Sequence, residues 1–326
     1  MSPARLRPRV HGPLDALRES RDAVLAALKE RDLAPRVALR SSERMAEVPD
    51  ASVHLVVTSP PYPLIEMWDA QLAEQTGVPT ASEEGFAASH ALLSRVWAEC
   101  ARALAPGGIL AVNVGDATRK VGGDFRCMMN HAQVARDCEA LGLQSLVPIL
   151  WKKPTNKPNA FLGSGFLPTN AYVTLDCEFI LLFRKGGARA FAPKDPLRYA
   201  SQFSKAERDA WFSQVWDVRG ASQDDARTAP FPPEIPYRLV RMLSCLGDTV
   251  LDPFAGTGTT LWVARALGRR AVGYEINPDL GLEKRVPRDA PDPAQVLAAL
   301  EAHYARTGGA VERPNEAAER FLAAVA

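Results

Sequence analysis

The run Val250-Leu-Asp-Pro-Phe-Ala-Gly-Thr-Gly-Thr-Thr260 constrains this chain more than any other. An apolar stretch of strand length ends on an acid, the backbone turns over two glycines, and a helix-compatible sequence follows. A strand that is apolar on both faces belongs in a sheet covered by helices on each side. The same alternation recurs along most of the 326 residues. Strand patterns are expected at His54–Thr58, Ile109–Val114, Ser145–Trp151, Tyr172–Arg184, Thr249–Asp252 and Ala271–Glu275. Helical patterns are expected at Pro13–Arg31, Phe86–Leu104, Asn130–Leu141, Glu234–Ser244 and Thr259–Leu267. The fold class that follows is α/β, Rossmann-like, with a mainly parallel sheet and helices on both faces.

Punctuation along the chain divides it further. Residues 1–36 form an N-terminal helical arm and 37–185 a first half of the main domain. Residues 186–228, polar and irregular, form a small insertion with Trp211 and Trp216 as its core. Residues 229–280 are the second half, and 281–326 a linker with a C-terminal helical tail. The stretch Lys152–Asn170, rich in Pro, Asn, Gly and Lys, reads as a loop with a task of its own.

Composition removes several function classes. With 39 basic against 38 acidic residues the net charge is +1, so polyanions are not bound through bulk charge. No apolar run approaches the ~18 residues of a membrane span. Met1–Arg9 is basic without an apolar stretch behind it, so no signal peptide is expected. The five cysteines, Cys100, Cys127, Cys138, Cys177 and Cys245, have no metal-type spacing. No metal is expected, and a reducing, cytoplasmic setting is.

The glycine turn admits a ligand close to the main chain, because glycine has no Cβ in the way. A phosphate loop would need a lysine after the second glycine, and none follows Gly258. A dinucleotide site would show a third glycine, and Asp252 would repel a pyrophosphate. An acid at the strand end instead suits a ligand with a cationic amino group, such as the methionine part of S-adenosylmethionine. Glu275, about 20 residues on, is placed to accept from ribose hydroxyls. A turn with a structural role only is the remaining alternative.

A second site follows a different strand, at Thr58-Ser-Pro-Pro-Tyr62. Two prolines cannot continue a ladder, so the chain leaves the sheet there. These residue types suit methyl transfer to an exocyclic base amine. That nitrogen lone pair is delocalised into the ring, and acceptors aimed at its N–H groups turn it toward an incoming methyl. Ser59 Oγ and a carbonyl at Ser59 or Pro60 are such acceptors. Pro61 supplies no competing donor, and Tyr62 offers a flat face for an unpaired base. The bland alternative is a plain turn.

Together, Thr58–Tyr62 and Asp252–Thr260 resemble the S-adenosylmethionine-dependent amino-methyltransferases of DNA. The catalytic motif precedes the cofactor motif, as in the permuted β class of that family. Serine at 59, where adenine-N6 enzymes usually carry aspartate, is similar to the cytosine-N4 branch. Leu104–Gly108, Val112–Asp116, Ile149–Pro154, Glu178–Lys185 and Ala229–Glu234 are similar to further family segments in the same order. The resemblance implies that 37–185 is the catalytic half and 229–280 the cofactor half, and that 186–228 recognises the target. It implies Ser59, Pro60, Pro61 and Tyr62 as catalytic residues. It implies Asp252, Pro253, Phe254, Gly256, Gly258, Thr259, Thr260 and Glu275 as the S-adenosylmethionine site, with Phe231 and Pro232 packed against the cofactor. Where many relatives carry Gly-Asp before the catalytic strand, this chain has Arg40-Ser41-Ser42, so no adenine contact is carried over.

A base inside a duplex must be extruded before its amine is reached. Between Trp151 and Ala190, Lys152, Lys153, Lys157, Arg184, Lys185 and Arg189 outnumber the acids Asp176 and Glu178. They are the expected contacts to double-stranded DNA. The expected activity is transfer of a methyl group to the N4 amine of a flipped cytosine, with nucleoid association, and it is compatible with a homodimer and a companion restriction endonuclease. Adenine-N6 or RNA-base methylation on the same fold, and an inactive DNA-binding relative, are the competing expectations. All of this requires that the loop at 58–62 and the turn at 252–260 meet at neighbouring strand tips.

Overall fold

The sequence Val53-His-Leu-Val-Val-Thr58 is buried at every position but His54, as a strand with helices on both faces demands. Leu55 and Val57 enter one apolar cluster and Val56 the other, so side chains alternate across the sheet. The computed structural model describes residues 12–121, 123–153, 169, 173–220 and 232–325. Its strands are β1 (Arg36–Leu39), β2 (Val53–Thr58), β3 (Leu104–Val114), β4 (Ala117–Val121), β5 (Asp124–Met128), β6 (Leu143–Ser145), β7 (Ile149–Lys152), β8 (Cys177–Lys185), β9 (Val215–Asp217), β10 (Thr249–Asp252) and β11 (Arg270–Glu275).

The main sheet runs β1-β11-β10-β2-β3-β8-β7-β9, with β6 also on β8. The run from β1 to β3 is parallel, β8 is antiparallel to β3, and β9 runs parallel to β7. From β2 the chain moves outward to β3, whereas from β10 it moves the other way to β11. A crevice therefore opens at the carboxyl ends of β2 and β10, the switch point where open α/β sheets hold ligands. A separate hairpin, β4–β5, carries Ala117 and Val121 against Leu64 in the loop after β2.

Several boundaries differ from the sequence expectation for identifiable reasons. β3 starts at Leu104, not Ile109, because Ala105–Gly108 is accommodated as an irregularity against β2. Gly107 makes this feasible: its φ is +79° and a Cβ there would sit 2.5 Å from Arg189 Cα. The single strand expected at Ser145–Trp151 is two short strands, β6 and β7. Within the described part of 186–228, β9 extends the main sheet. Trp211 and Trp216 are buried in the core cluster that also holds Leu55 and Tyr237.

The C-terminal helices Pro293–Thr307 and Glu316–Val325 belong to that same core through Val296, Leu300, Tyr304, Phe321 and Leu322. A buried polar knot ties them in. Arg241 donates to Glu207 Oε1 at 2.6 Å, His303 Nε2 lies 3.1 Å from the same oxygen, and Tyr304 donates to the Gln202 carbonyl at 2.8 Å. Burial raises the proton affinity of Glu207, but Arg241, His303 and the Ser204 N–H outweigh it and hold its pKa at about 2. No helix among the described residues is long and apolar enough to cross a membrane, and none of their His, Cys, Asp and Glu side chains cluster to hold a metal. All five cysteines are free thiols.

Candidate active site

β2 and β10 are neighbours, with Leu251 opposite Val56, so Asp252 and Thr58 end side by side. Thr58 Oγ1 donates to Asp252 Oδ1 at 2.6 Å, and both residues are buried. The segment that leaves β2 and the glycine turn, joined through residues 194 apart in the chain, thus share one hydrogen bond.

On the cofactor side, Asp252 Oδ1 also accepts the Phe254 N–H at 3.1 Å. Burial raises the Asp252 pKa to about 6 although Thr58, Phe254 and Thr260 donate to it. A carboxyl held so far from water with its charge unmatched is suited to a cationic partner. Glu275 accepts the Gly256 N–H on one oxygen and the Asn277 N–H on the other, each at 2.8 Å. These bonds fix the carboxylate at the tip of β11, and each oxygen keeps a lone pair for a ligand. Pro253 and Thr260 are buried, Thr259 opens the helix Thr259–Ala266, and Phe254 lies edge-on to Trp97 at 6.0 Å.

The two glycines of the turn do different jobs, where the sequence suggested one. Both have positive φ, +54° at Gly256 and +91° at Gly258. A Cβ at Gly256 would meet nothing within 4 Å, whereas at Gly258 it would lie 2.6 Å from Val286 Cγ2 and 2.8 Å from Leu282 Cδ1. Gly256 leaves room for a ligand; Gly258 leaves room for the segment that follows β11. Gly258→Ala is expected to lower stability by about 2 kcal/mol, since β-branched Val286 yields poorly. Gly256→Ala should lower it by about 1 kcal/mol, from backbone strain alone. Urea unfolding of the two variants checks the order, and equal losses would contradict this division.

On the chemical side, Ser59 Oγ lies 2.8 Å from Tyr62 Oη, and Pro60 and Pro61 are buried beneath them. Tyr62 Oη donates to Glu178 Oε2 at 3.0 Å and accepts from Asn113 Nδ2 at 2.7 Å. Asn113 Nδ2 also reaches Glu178 Oε2 at 2.6 Å, and Lys153 pairs with the other Glu178 oxygen. Burial, then the Glu178 charge, raise the Tyr62 phenol well above its ordinary pKa, so it stays protonated. Gly115 backs the ring: a Cβ there would lie 3.2 Å from Tyr62 Cε2. The loop is anchored by Asn130, whose Nδ2 donates to the Pro63 and Gly115 carbonyls at 3.1 and 3.0 Å.

Asn113, Gly115, Asn130 and Glu178 were not marked as site residues by the sequence. Asn113, Gly115 and Glu178 sat inside segments noted for resemblance, but only the pairing of β8 with β3 reveals what they touch. Burial holds His90 down at about 4, so it is neutral, and its Nε2 lies 2.9 Å from Asn130 Oδ1. His131 lies against Asp116 at 2.7 Å and stacks on Phe179. Ser41 Oγ donates to Glu43 at 3.1 Å.

The expected DNA-contact set is not one surface. Lys152 and Lys153 lie at the site end of β7, and Lys152 is exposed. Because β8 runs antiparallel, Arg184 pairs opposite Ile109, at the far end of β3 from Val114. Lys185 donates to the Ala101 carbonyl at 2.6 Å, capping the helix Glu83–Ala103, and Arg184 donates to Gln144 at 2.7 Å. Arg189 forks onto Asp248 at 2.6 and 2.9 Å. Arg184, Lys185 and Arg189 thus make contacts within the protein at the end of the sheet away from the crevice. Lys157 and Phe231 lie outside the described residues; Pro232 is buried just before the helix Glu234–Leu243.

Comparison with known proteins agrees with this geometry. A family model described as DNA methylase, the N6/N4 methyltransferase model, matches residues 53–280. The chain is 52% identical over 266 residues to the type II methyltransferase M.MjaI of Methanocaldococcus jannaschii, covering 75% of this chain and 88% of that one. It is 44% identical over 260 residues to the type II methyltransferase M.MthZI of Methanothermobacter thermautotrophicus, covering 74% and 73%. Among solved structures, TTHA0409 from Thermus thermophilus complexed with S-adenosyl-L-methionine aligns at TM-score 0.62 and 37% identity, over 78% of this chain and 96% of that one. The cytosine-N4-specific PvuII DNA methyltransferase shares the fold at TM-score 0.59 and 17% identity, over 82% and 93%. With the family model spanning both strand-tip motifs and the sheet between them, this chain belongs to the N6/N4 DNA methylase family.

Proposed function

We propose that this protein is a site-specific DNA methyltransferase that methylates the N4 amine of cytosine in duplex DNA with S-adenosylmethionine. The observation that carries the reading is the Thr58–Asp252 hydrogen bond, which sets a donor site and an acceptor loop at adjacent strand tips. S-Adenosylmethionine supplies an electrophilic methyl group on a sulfonium. The residues fit it: Asp252 takes the methionine ammonium, Glu275 the ribose hydroxyls, and the open space at Gly256 admits the ligand to the main chain.

The base leaves the duplex at a cost of a few kcal/mol and stacks on Tyr62, which returns about 1–3 kcal/mol. Ser59 Oγ and the Pro60 carbonyl accept the two N–H bonds of the amine and hold its lone pair toward the methyl. Once methylated, the nitrogen is cationic and acidic, so no strong base is required. Lys152, exposed beside the crevice, follows the phosphate backbone. Serine at 59 supports cytosine over adenine. The relatives' names support a place in type II modification.

The test is methylation of duplex DNA with labelled cofactor, followed by nucleoside analysis. N4-methylcytosine is expected. Label solely in N6-methyladenine would move the enzyme to the sister branch, and transfer to RNA alone would remove duplex DNA as substrate.

A further inference from the structure

We infer that Glu178 is a positioning residue that sets the direction of the Ser59–Tyr62 hydrogen bond and so makes Ser59 an acceptor for the amine. The inference rests on the reading that Ser59 receives an N–H of the base.

Among the described residues Tyr62 Oη has three neighbours within hydrogen-bond distance: Ser59 Oγ at 2.8 Å, Asn113 Nδ2 at 2.7 Å and Glu178 Oε2 at 3.0 Å. It owns one proton and two acceptor sites. A carboxylate only accepts, so the phenol proton goes to Glu178. An amide nitrogen only donates, so Asn113 fills one acceptor site. The other is left for Ser59, whose single hydroxyl proton must point at Tyr62. Both lone pairs of Ser59 Oγ are then free to accept.

Without Glu178 this order is lost. A serine hydroxyl rotates freely, and a Tyr62 proton released from Glu178 can turn onto Ser59. Ser59 would then direct its own proton elsewhere, including toward the amine, and a donor aimed at that nitrogen opposes methyl transfer. Asn113 shows the same polarity. Its Nδ2 bonds Tyr62 and Glu178, while its buried Oδ1 has no hydrogen-bond partner among the described residues. The amide is therefore oriented by the acceptors on its nitrogen side. Lys153 pairs with the second Glu178 oxygen and completes the arrangement.

The sequence alone marks Glu178 as an ordinary acid in a basic stretch. Its placement depends on β8 running antiparallel to β3, which puts Phe179 opposite Val114 and Glu178 beside the catalytic loop.

The experiment compares Glu178→Gln, Tyr62→Phe, Ser59→Ala and the double variant Glu178→Gln/Ser59→Ala by single-turnover transfer of labelled methyl to duplex DNA. Calorimetry of S-adenosylmethionine binding runs alongside. Glu178→Gln keeps the shape but brings a donor, and should lower kcat about 10–100-fold with cofactor Kd unchanged within about twofold. Tyr62→Phe keeps the ring and breaks the chain of bonds, and should lower kcat by a similar factor; it serves equally if the Gln variant does not fold. In the Ser59→Ala background Glu178→Gln should add less than about twofold, because the bond it orients is gone. Wild-type kcat in Glu178→Gln or Tyr62→Phe, or full additivity in the double variant, overturns the role of Glu178. Full activity of Ser59→Ala instead overturns the Ser59 reading beneath it, so the two failures are distinguishable.

Discussion

Ser59→Ala is expected to lower kcat by about 10²–10³-fold, the usual effect of deleting one oriented hydrogen-bonding group at a reacting centre. The cofactor Kd should stay within about twofold, because Asp252 with its glycine turn and Glu275 lie at the tips of other strands. Folding should be little affected, since Ser59 is half-buried and the loop is pinned independently by Asn130 through the Pro63 carbonyl. Radiolabel transfer gives the first quantity and calorimetry the second. Unchanged turnover would remove Ser59 from the mechanism, whereas a parallel loss of cofactor binding would mean that the substitution had disturbed the turn.

Asp252→Asn separates binding from stability in opposite directions. The variant keeps an oxygen for the Thr58 and Phe254 bonds but loses the charge. Weakening the contact to the ammonium by about 1.5–3 kcal/mol raises the cofactor Kd about 10–100-fold. The ligand-free protein should meanwhile gain up to about 3 kcal/mol at neutral pH, because a buried carboxyl with a pKa of about 6 instead of 3.8 ionises at the expense of the fold. The sign follows from proton counting. Between about pH 4 and 6 the folded chain holds a proton on Asp252 that the unfolded chain has released, so this contribution to stability declines as pH rises through that window. It is absent in the variant. Wild-type cofactor affinity should be flat above about pH 6 and fall about tenfold per unit below it, as the carboxylate is protonated. Thermal unfolding with and without cofactor, across pH, reads all of these. A variant that binds as tightly as wild type would take Asp252 out of the cofactor site.

The turn at 252–260 and the loop at 58–62 were legible in the sequence because each is a local event. A strand ends, and glycine or proline dictates what the backbone does next. Their meeting was inferable from the α/β alternation. What could not be read was anything that depends on long-range register. Glu178 reaches Tyr62, and Arg184 and Lys185 leave the crevice, for one reason: β8 runs antiparallel to β3. In a linear count of charges these residues look equivalent; on the strand, its two ends face opposite sides of the molecule. The different duties of Gly256 and Gly258 were hidden likewise, since only the packing of Leu282 and Val286 tells them apart.

The family model matches no further than residue 280, but the packed interior continues. Phe321 and Leu322 stay dry among residues of the central layer, and Arg241 sits in a cage to which Tyr304 contributes. Excising the shared segment would leave greasy holes on one face and strip a desolvated guanidinium of neighbours. The boundary drawn by kinship is therefore not the boundary of an autonomous body, and an expression clone trimmed to it would be a fragment.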